Sequence, residues 1–268
     1  VNEAKLLELA VDVARRAGQL LVSARPRTLD VDTKSTPTDV VTEMDRAAER
    51  LIVQALRAAR PDDGVLGEEG ADVAGSSGVD WLVDPIDGTV NYLYDLPGWA
   101  VSVAARVAGE SAVAVVDVPS LGETYTALRG AGAWRDGEPI RCNPAPGLDR
   151  ALVGTGFGYD AHRRASQAEV LRHLLPRVGD IRRLGACAVD LCAVACGRLD
   201  AYYERGVNPW DHAAGGLIAS EAGAVVGGLY GAPASSELLL AAPPVLFEAL
   251  HDVLAELRAD QDLPRPAQ

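Results

Sequence analysis

Four short segments place carboxylates where turns or element ends would expose them: Thr42-Glu43-Met44-Asp45, Gly67-Glu68-Glu69-Gly70, Asp84-Pro85-Ile86-Asp87-Gly88-Thr89 and Trp210-Asp211. The third is the richest. The apolar run Trp81-Leu82-Val83 reads as a buried strand that delivers Asp84 at its C-terminal end. Pro85 fixes the turn and removes a backbone donor. Ile86 can aim its carbonyl at the same point, and Asp87 follows. Two carboxylates three residues apart, with a carbonyl between them, are hard oxygen donors of the kind Mg2+ takes. Gly88-Thr89 reads as the opening of a helix, whose first N–H groups suit a phosphate. Taken singly, each piece also has a plain account. Asp-Pro and Asp-Gly make turns, and paired acids between glycines make a solvated loop. Thr42 with Asp45 forms a capping box, and Asp211 caps a helix by accepting from Ala213 or Ala214. Their occurrence together, in this order, has no such account.

These acids need elements to hold them. Apolar residues at helical spacing predict a helix over 2–24, ended by Arg25-Pro26, and a second from the Thr42 cap to about Ala59, ended by Arg60-Pro61. Between them, residues 32–39 are polar and turn-rich. From Trp99 to Trp134, Val/Ala-rich runs alternate with turns at Ala108-Gly109, Pro119-Ser120 and Arg129-Gly130, a meander of antiparallel strands. Strands follow near Ile140 and Val153. Helices are then expected at 161–175, 186–197, 210–222 and 244–258, and strands near 181, 201–204, 224–226 and 238–241. Mixed order without strict βαβ alternation fits an α/β layered sandwich better than a TIM barrel. The run Cys142-Asn143-Pro144-Ala145-Pro146-Gly147 suggests two halves, 1–145 and 146–268, with the site between them.

Charge excludes some functions. Twenty-five Lys and Arg against 38 Asp and Glu leave the 268-residue chain at −13. That is a poor match for a nucleic-acid backbone or an anionic membrane surface. No apolar run approaches a membrane span, and the charged first helix leaves no room for a signal-peptide stretch, so cytoplasm is the default location. Four cysteines make no disulfide scaffold. Cys187, Cys192 and Cys196 share one helix but lack partners for a zinc set, and none of the four histidines is spaced as a ligand. His212, beside Asp211, points elsewhere on its helix. Gly154-Thr155-Gly156-Phe157-Gly158 has neither the spacing nor the context of a dinucleotide loop. Gly75-Ser76-Ser77-Gly78 is not a nucleophile elbow.

Through Lys34-Ser35-Thr36-Pro37-Thr38-Asp39, Val41-Thr42-Glu43-Met44-Asp45, Gly67-Glu68-Glu69, Trp81 to Asn91, and Ala201-Tyr202-Tyr203-Glu204 to Trp210-Asp211-His212-Ala213-Ala214-Gly215, the sequence resembles the inositol monophosphatases, within the Mg2+-dependent, lithium-sensitive phosphatases. The resemblance covers nearly the whole chain. Lys34, one of two lysines in an arginine-using chain, fits a position that wants a compact ammonium.

The resemblance implies a five-layer αβαβα sandwich of the inositol monophosphatase / fructose-1,6-bisphosphatase type, assembled as a homodimer. It implies one Mg2+ held by Glu68, Asp84 and the Ile86 carbonyl, a second by Asp84, Asp87 and Asp211, and a weaker third near Glu68. Asp45 and Thr89, with Glu68 alongside, would orient a metal-activated water, and the N–H groups of Gly88 and Thr89 would hold the phosphate. Asp87, Glu204 and the Gly185-Ala186-Cys187 region would contact the alcohol. Tyr202-Tyr203-Glu204 resembles the true inositol phosphatases, which implies hydrolysis of myo-inositol 1-phosphate to inositol and phosphate. Histidinol phosphate, fructose 1,6-bisphosphate and a 3′-phosphonucleotide are the alternative substrates. Other classes are a regulatory binding protein acting on transcription machinery and a Ca2+-stabilised structural protein. Arg182 and Arg183 read as surface arginines.

Overall fold

The apolar repeat Leu6, Ala10, Val13, Ala14, Ala17 and Leu21 forms one buried stripe of α1 (Glu3–Ser23), and Ala48, Ile52 and Leu56 do the same for α2 (Glu43–Ala59). The computed structural model describes residues 1–25, 31–34 and 40–264. The 35–39 segment of the resemblance lies outside the described residues. A two-stranded ribbon, β1 (Val31–Thr33) with β2 (Val40–Thr42), leads into α2.

Both stripes pack on one face of an eight-stranded sheet. Its strands are β3 (Gly64–Gly67), β4 (Asp72–Val73), β5 (Val79–Asp87), β6 (Ala100–Val107), β7 (Glu110–Val118), β8 (Glu123–Leu128), β9 (Gly132–Arg135) and β10 (Glu138–Pro139), in the order β10-β9-β8-β7-β6-β5-β3-β4. Only β3 and β5 pair in parallel. The meander expected from Trp99 to Trp134 is β6 to β9. The strand expected near Ile140 is the short β10, which stops one residue earlier. A second sheet has the order β12-β11-β13-β15-β14, from β11 (Leu152–Thr155), β12 (Asp180–Arg182), β13 (Ala201–Glu204), β14 (Val225–Gly227) and β15 (Leu239–Ala242). The remaining helices are α3 (Thr89–Leu93), α4 (Ala161–Leu174), α5 (Cys187–Ala195), α6 (Pro209–Glu221) and α7 (Pro244–Glu256).

Period-two alternation makes the layers. Trp81 and Val83 of β5 face α1 and α2, whereas Leu82 faces α5 and α6. In β13, Tyr202 joins the core around α5 and α6, and Ala201 and Tyr203 join the core under α7. Three apolar cores thus separate five layers: α1/α2, sheet, α5/α6, sheet, α4/α7. Asp84 shares the face of Leu82, and Glu204 shares that of Tyr202. Both therefore point into the middle layer.

One buried polar knot pins the stop after α2 onto β5. Asp63, 2% exposed, accepts from Arg60 Nε and Nη2 at 2.8 and 2.9 Å, Ser77 Oγ at 2.6 Å and Trp81 Nε1 at 2.9 Å. Burial alone would raise this carboxyl, but the Arg60, Ser77 and Trp81 bonds outweigh it and hold it below its ordinary value. A depressed carboxyl stabilises the fold above the unfolded value of about 3.9, and that stability is lost as pH falls through the folded value. Asp63→Asn is therefore expected to cost about 1.5–3 kcal/mol at pH 7. In chemical denaturation the gap from wild type should shrink as pH falls below the unfolded value of about 3.9 and on through the folded one. A gap that does not change with pH would show that the charge is not what matters.

Candidate active site

Every proposed site residue except Asp45 lines one cleft of about 370 Å³. Its walls include Lys34, Glu68, Asp84, Ile86, Asp87, Gly88, Thr89, Cys187, Glu204 and Asp211. Asp45 lies just behind it, fully buried, and joins it through a bond from Thr89 Oγ1 to Asp45 Oδ1 at 3.1 Å.

Asp45 both closes the capping box and meets Thr89. Its Oδ2 accepts from the Thr42 N–H at 2.8 Å and from Thr42 Oγ1 at 2.5 Å, completing the expected capping box, while Oδ1 is left for Thr89 across 44 residues of sequence. Burial raises the Asp45 carboxyl, against the Thr42 bonds that lower it.

The strand β5 runs further than the apolar run predicts. It continues through Asp84-Pro85-Ile86 to Asp87, with a register irregularity against β6 between Asp84 and Asp87. That irregularity turns both acids toward the cleft. Asp84 Oδ1 accepts from the Ile86 N–H at 3.0 Å, and the Ile86 carbonyl accepts from Thr89 Oγ1 at 3.1 Å. The chain then turns at Gly88, whose φ is +87°. Only glycine suits this turn, since a Cβ there would also lie 3.0 Å from that of Ala186. α3 opens at Thr89, as expected.

Asp87 is held from the other sheet's side. Its oxygens accept from the Cys187 N–H at 3.1 Å and the Ala188 N–H at 2.5 Å, at the N-terminus of α5. The N–H of Cys187, in the region expected to contact the alcohol, is thus engaged by Asp87. Asp211 differs from its expected cap role. The helix starts at Pro209, one residue before the expected 210, and its N-cap is Asn208, three residues before Asp211; Pro209 takes N1, where its missing N–H costs nothing. Asp211 sits at N3, and its Oδ2 accepts from the Asn208 N–H at 2.6 Å.

The electrostatics are severe. Burial raises Asp84 well above the carboxylate range, and Glu68, Asp87 and Asp211 push it further. Burial also lifts Asp87 to about 7, against the Ala188 bond, with Glu204 and Glu68 adding repulsion. Asp211 is raised by burial, Glu68 and Asp87. Lys34 Nζ donates to Glu68 at 2.8 Å and also to Glu69, relieving part of the charge. Among the described residues, no three acids, histidines or cysteines are drawn close enough to hold an ion as they stand. Their chemistry still fits a hard cation: an all-oxygen set, buried and mutually repelling, whose charged form needs positive charge nearby.

Several contributors gave little sequence signal. Glu49, 6% exposed, accepts from the Glu69 and Ala71 N–H groups at 2.8 and 3.0 Å and so shapes the Glu68 turn. Its signal was an acid four residues after Asp45 on the apolar stripe of α2. Asn91 Nδ2 ties α3 to the Leu184 carbonyl at 2.8 Å. Arg183 and Arg163 line the cleft, whereas Arg182 is a surface residue paired with Asp180. His212 is half-buried outside the cleft's lining, and burial lowers it to about 4, with the Arg106 charge adding to the effect. All four cysteines are free.

A sequence profile of the inositol monophosphatase family matches residues 2–262. The chain belongs to the inositol monophosphatase family. It is 50% identical over 205 residues to the inositol-1-monophosphatase SuhB of Mycobacterium tuberculosis, covering 73% of this chain and 71% of that protein. It is 39% identical over 225 residues to the Nus factor SuhB of Escherichia coli K12, covering 82% and 84%. Among solved structures, an IMPase of Thermotoga maritima superposes with a TM-score of 0.86 at 32% identity, covering 96% of this chain and 99% of that one. The fold is that of these inositol monophosphatases.

Without cations Asp84 must take up a proton on folding, because its carboxyl is raised well above its unfolded value; Asp84→Asn removes that cost and keeps the oxygen that accepts from Ile86. In Mg2+-free buffer it is expected to raise the melting temperature by about 2–4 °C, as relief of roughly 1 kcal/mol would in a chain this size. A lower melting temperature would mean that Asp84 stabilises the fold.

Proposed function

We propose that this family member is a Mg2+-dependent phosphate monoester hydrolase that converts myo-inositol 1-phosphate to inositol and phosphate. One observation carries the reading. The Thr89–Asp45 bond, a proton-handling pair, stands at the edge of the same cleft as four converging carboxylates. Glu68, Asp84 and the Ile86 carbonyl would hold one Mg2+, Asp84, Asp87 and Asp211 a second, and Glu68 would help to hold a third. When bound, the cations supply charge neutralisation, polarise the phosphoryl oxygens and acidify water.

The chain's own residues do the rest. Thr89 Oγ1 donates its hydrogen bond to Asp45 Oδ1, which leaves the lone pairs of the Thr89 oxygen to accept from and orient the attacking water. As water adds to phosphorus and the ester bond to the alcohol breaks, one water proton moves to Thr89 Oγ1 while the Thr89 hydroxyl proton moves to Asp45 Oδ1, and the departing alkoxide takes a proton from solvent. Burial has raised the affinity of that carboxylate for a proton. The first N–H groups of α3, at Gly88 and Thr89, face the phosphate. Glu204, bonded by Tyr202 Oη, accepts from hydroxyls of the alcohol beside Asp87. The family resemblance extends the proposal to a cytoplasmic homodimer inhibited by lithium. Among the described residues no helix is long and apolar enough to cross a membrane.

The test is phosphate release with Mg2+ from myo-inositol 1-phosphate, fructose 1,6-bisphosphate, histidinol phosphate and a 3′-phosphonucleotide. The inositol ester is expected to give the highest kcat/KM. Another ester outpacing it would displace the substrate assignment. Thr89→Ala should lower kcat by about 10²-fold or more with KM nearly unchanged. A wild-type kcat in that variant would remove Thr89 from the mechanism.

A second reading, a regulatory protein of the transcription machinery, rests on the relatives named Nus factor SuhB. Specific capture of RNA polymerase or its elongation factors by the pure chain, undiminished in Asp84→Asn, would support it.

A further inference from the structure

Three glycines recur at every second position in Gly154-Thr155-Gly156-Phe157-Gly158, a run that fits no phosphate-binding loop. Each leaves room for a different charged side chain. A Cβ at Gly154 would meet Asp190 Oδ1 at 2.9 Å, one at Gly156 would meet the Glu204 carboxylate at 2.0 Å, and one at Gly158 would meet Arg163 Cδ at 2.8 Å. Gly206 closes the arginine slot from the other side, where a Cβ would meet Arg163 Nη1 at 2.5 Å. Gly156, Gly158, Gly206, Glu204 and Arg163 all line the cleft. The run is therefore a row of seats for the wall that faces the alcohol.

That wall sets bases beside acids. The Arg183 charge eases Asp190 and Glu204, against the burial that raises both carboxyls. Asp262, on the segment after α7, is bonded to Arg205, and the Arg205, Arg163 and His162 charges together hold its carboxyl below the usual range. Leu263 N–H to Ser166 Oγ, 2.9 Å, anchors the same segment on α4, the helix that carries Arg163. A donor at Arg163 and an acceptor at Glu204 in one wall suit hydroxyls, which both donate and accept.

We propose that Arg163 is a specificity residue, seated by Gly158 and Gly206, which donates to hydroxyl oxygens of the polyol while Glu204 accepts from them. This rests on the phosphatase reading above. Two esters test it with Mg2+ present: myo-inositol 1-phosphate, and p-nitrophenyl phosphate, whose leaving group has no hydroxyls to read. Arg163→Gln should lower the ratio of their kcat/KM values about tenfold, mainly through KM for the inositol ester. Gly158→Ala, which keeps every charge but crowds the arginine, should shift the ratio the same way, and it carries the test if R163Q does not fold. A ratio within twofold of wild type in the folded variants would overturn the proposal. If the wild-type protein hydrolyses neither ester, the phosphatase reading falls and takes this inference with it. If it hydrolyses both and the ratio does not move, only the inference falls.

Discussion

Four carboxylates that repel one another below the protein surface set the terms for the rest of the molecule. Glu68, Asp84, Asp87 and Asp211 arrive from a strand turn, both ends of a strand irregularity and the first turn of a helix. Nothing about packing favours bringing them together, because burial penalises the charges of Asp84, Asp87 and Asp211, and the Glu68 charge adds to the penalty on each. The chain offsets this locally. Backbone N–H groups from Ile86, Cys187, Ala188 and Asn208 each fix one carboxylate, and Lys34 reaches Glu68. Such donors set the direction of each acid as well as easing its charge, so the cluster is aimed before any cation arrives.

The layering follows from the same need. The helices of the middle layer present their N-termini to the cleft, and α5 receives Asp87 from the other half of the chain. The eight-stranded sheet supplies Asp84 and Asp87, the five-stranded sheet supplies Glu204, and α6 between them supplies Asp211. Neither sheet alone carries a complete set. Asp45 stands one layer back, on α2, where it reaches the chemistry only through Thr89.

How much of this was legible varied with the physics. The helices and strands were readable because their apolar periods are strong, as in α1 and the β6–β9 meander. The Thr42–Asp45 box was readable because it is local. The five layers and the convergence of the acids came from motif resemblance, since no period in β5 says what α6 brings to it. Asp211 was misplaced on its helix because Asn208-Pro209 was not recognised as an N-cap with proline at N1. Arg183 is exposed, as expected, but its place in the cleft wall was not foreseen, and Arg163 and Asp190 drew no notice. Their roles depend on contacts across the chain, and their seats are marked only by glycines, where the signal is a missing atom. Of the chain's −13, the four clustered carboxylates account for a small part, so net charge said little about the site.

A cluster whose acids hold protons in the absence of cations must give them up when cations bind. Asp87, near 7, and Asp84 and Asp211, raised well above their usual range, are the groups concerned. Calorimetric titration of the protein with Mg2+ at pH 7, in two buffers of different ionisation enthalpy, reads that exchange directly. Saturable binding with net release of protons is the expected result. Binding heat that does not depend on the buffer, or no saturable binding at all, would contradict it.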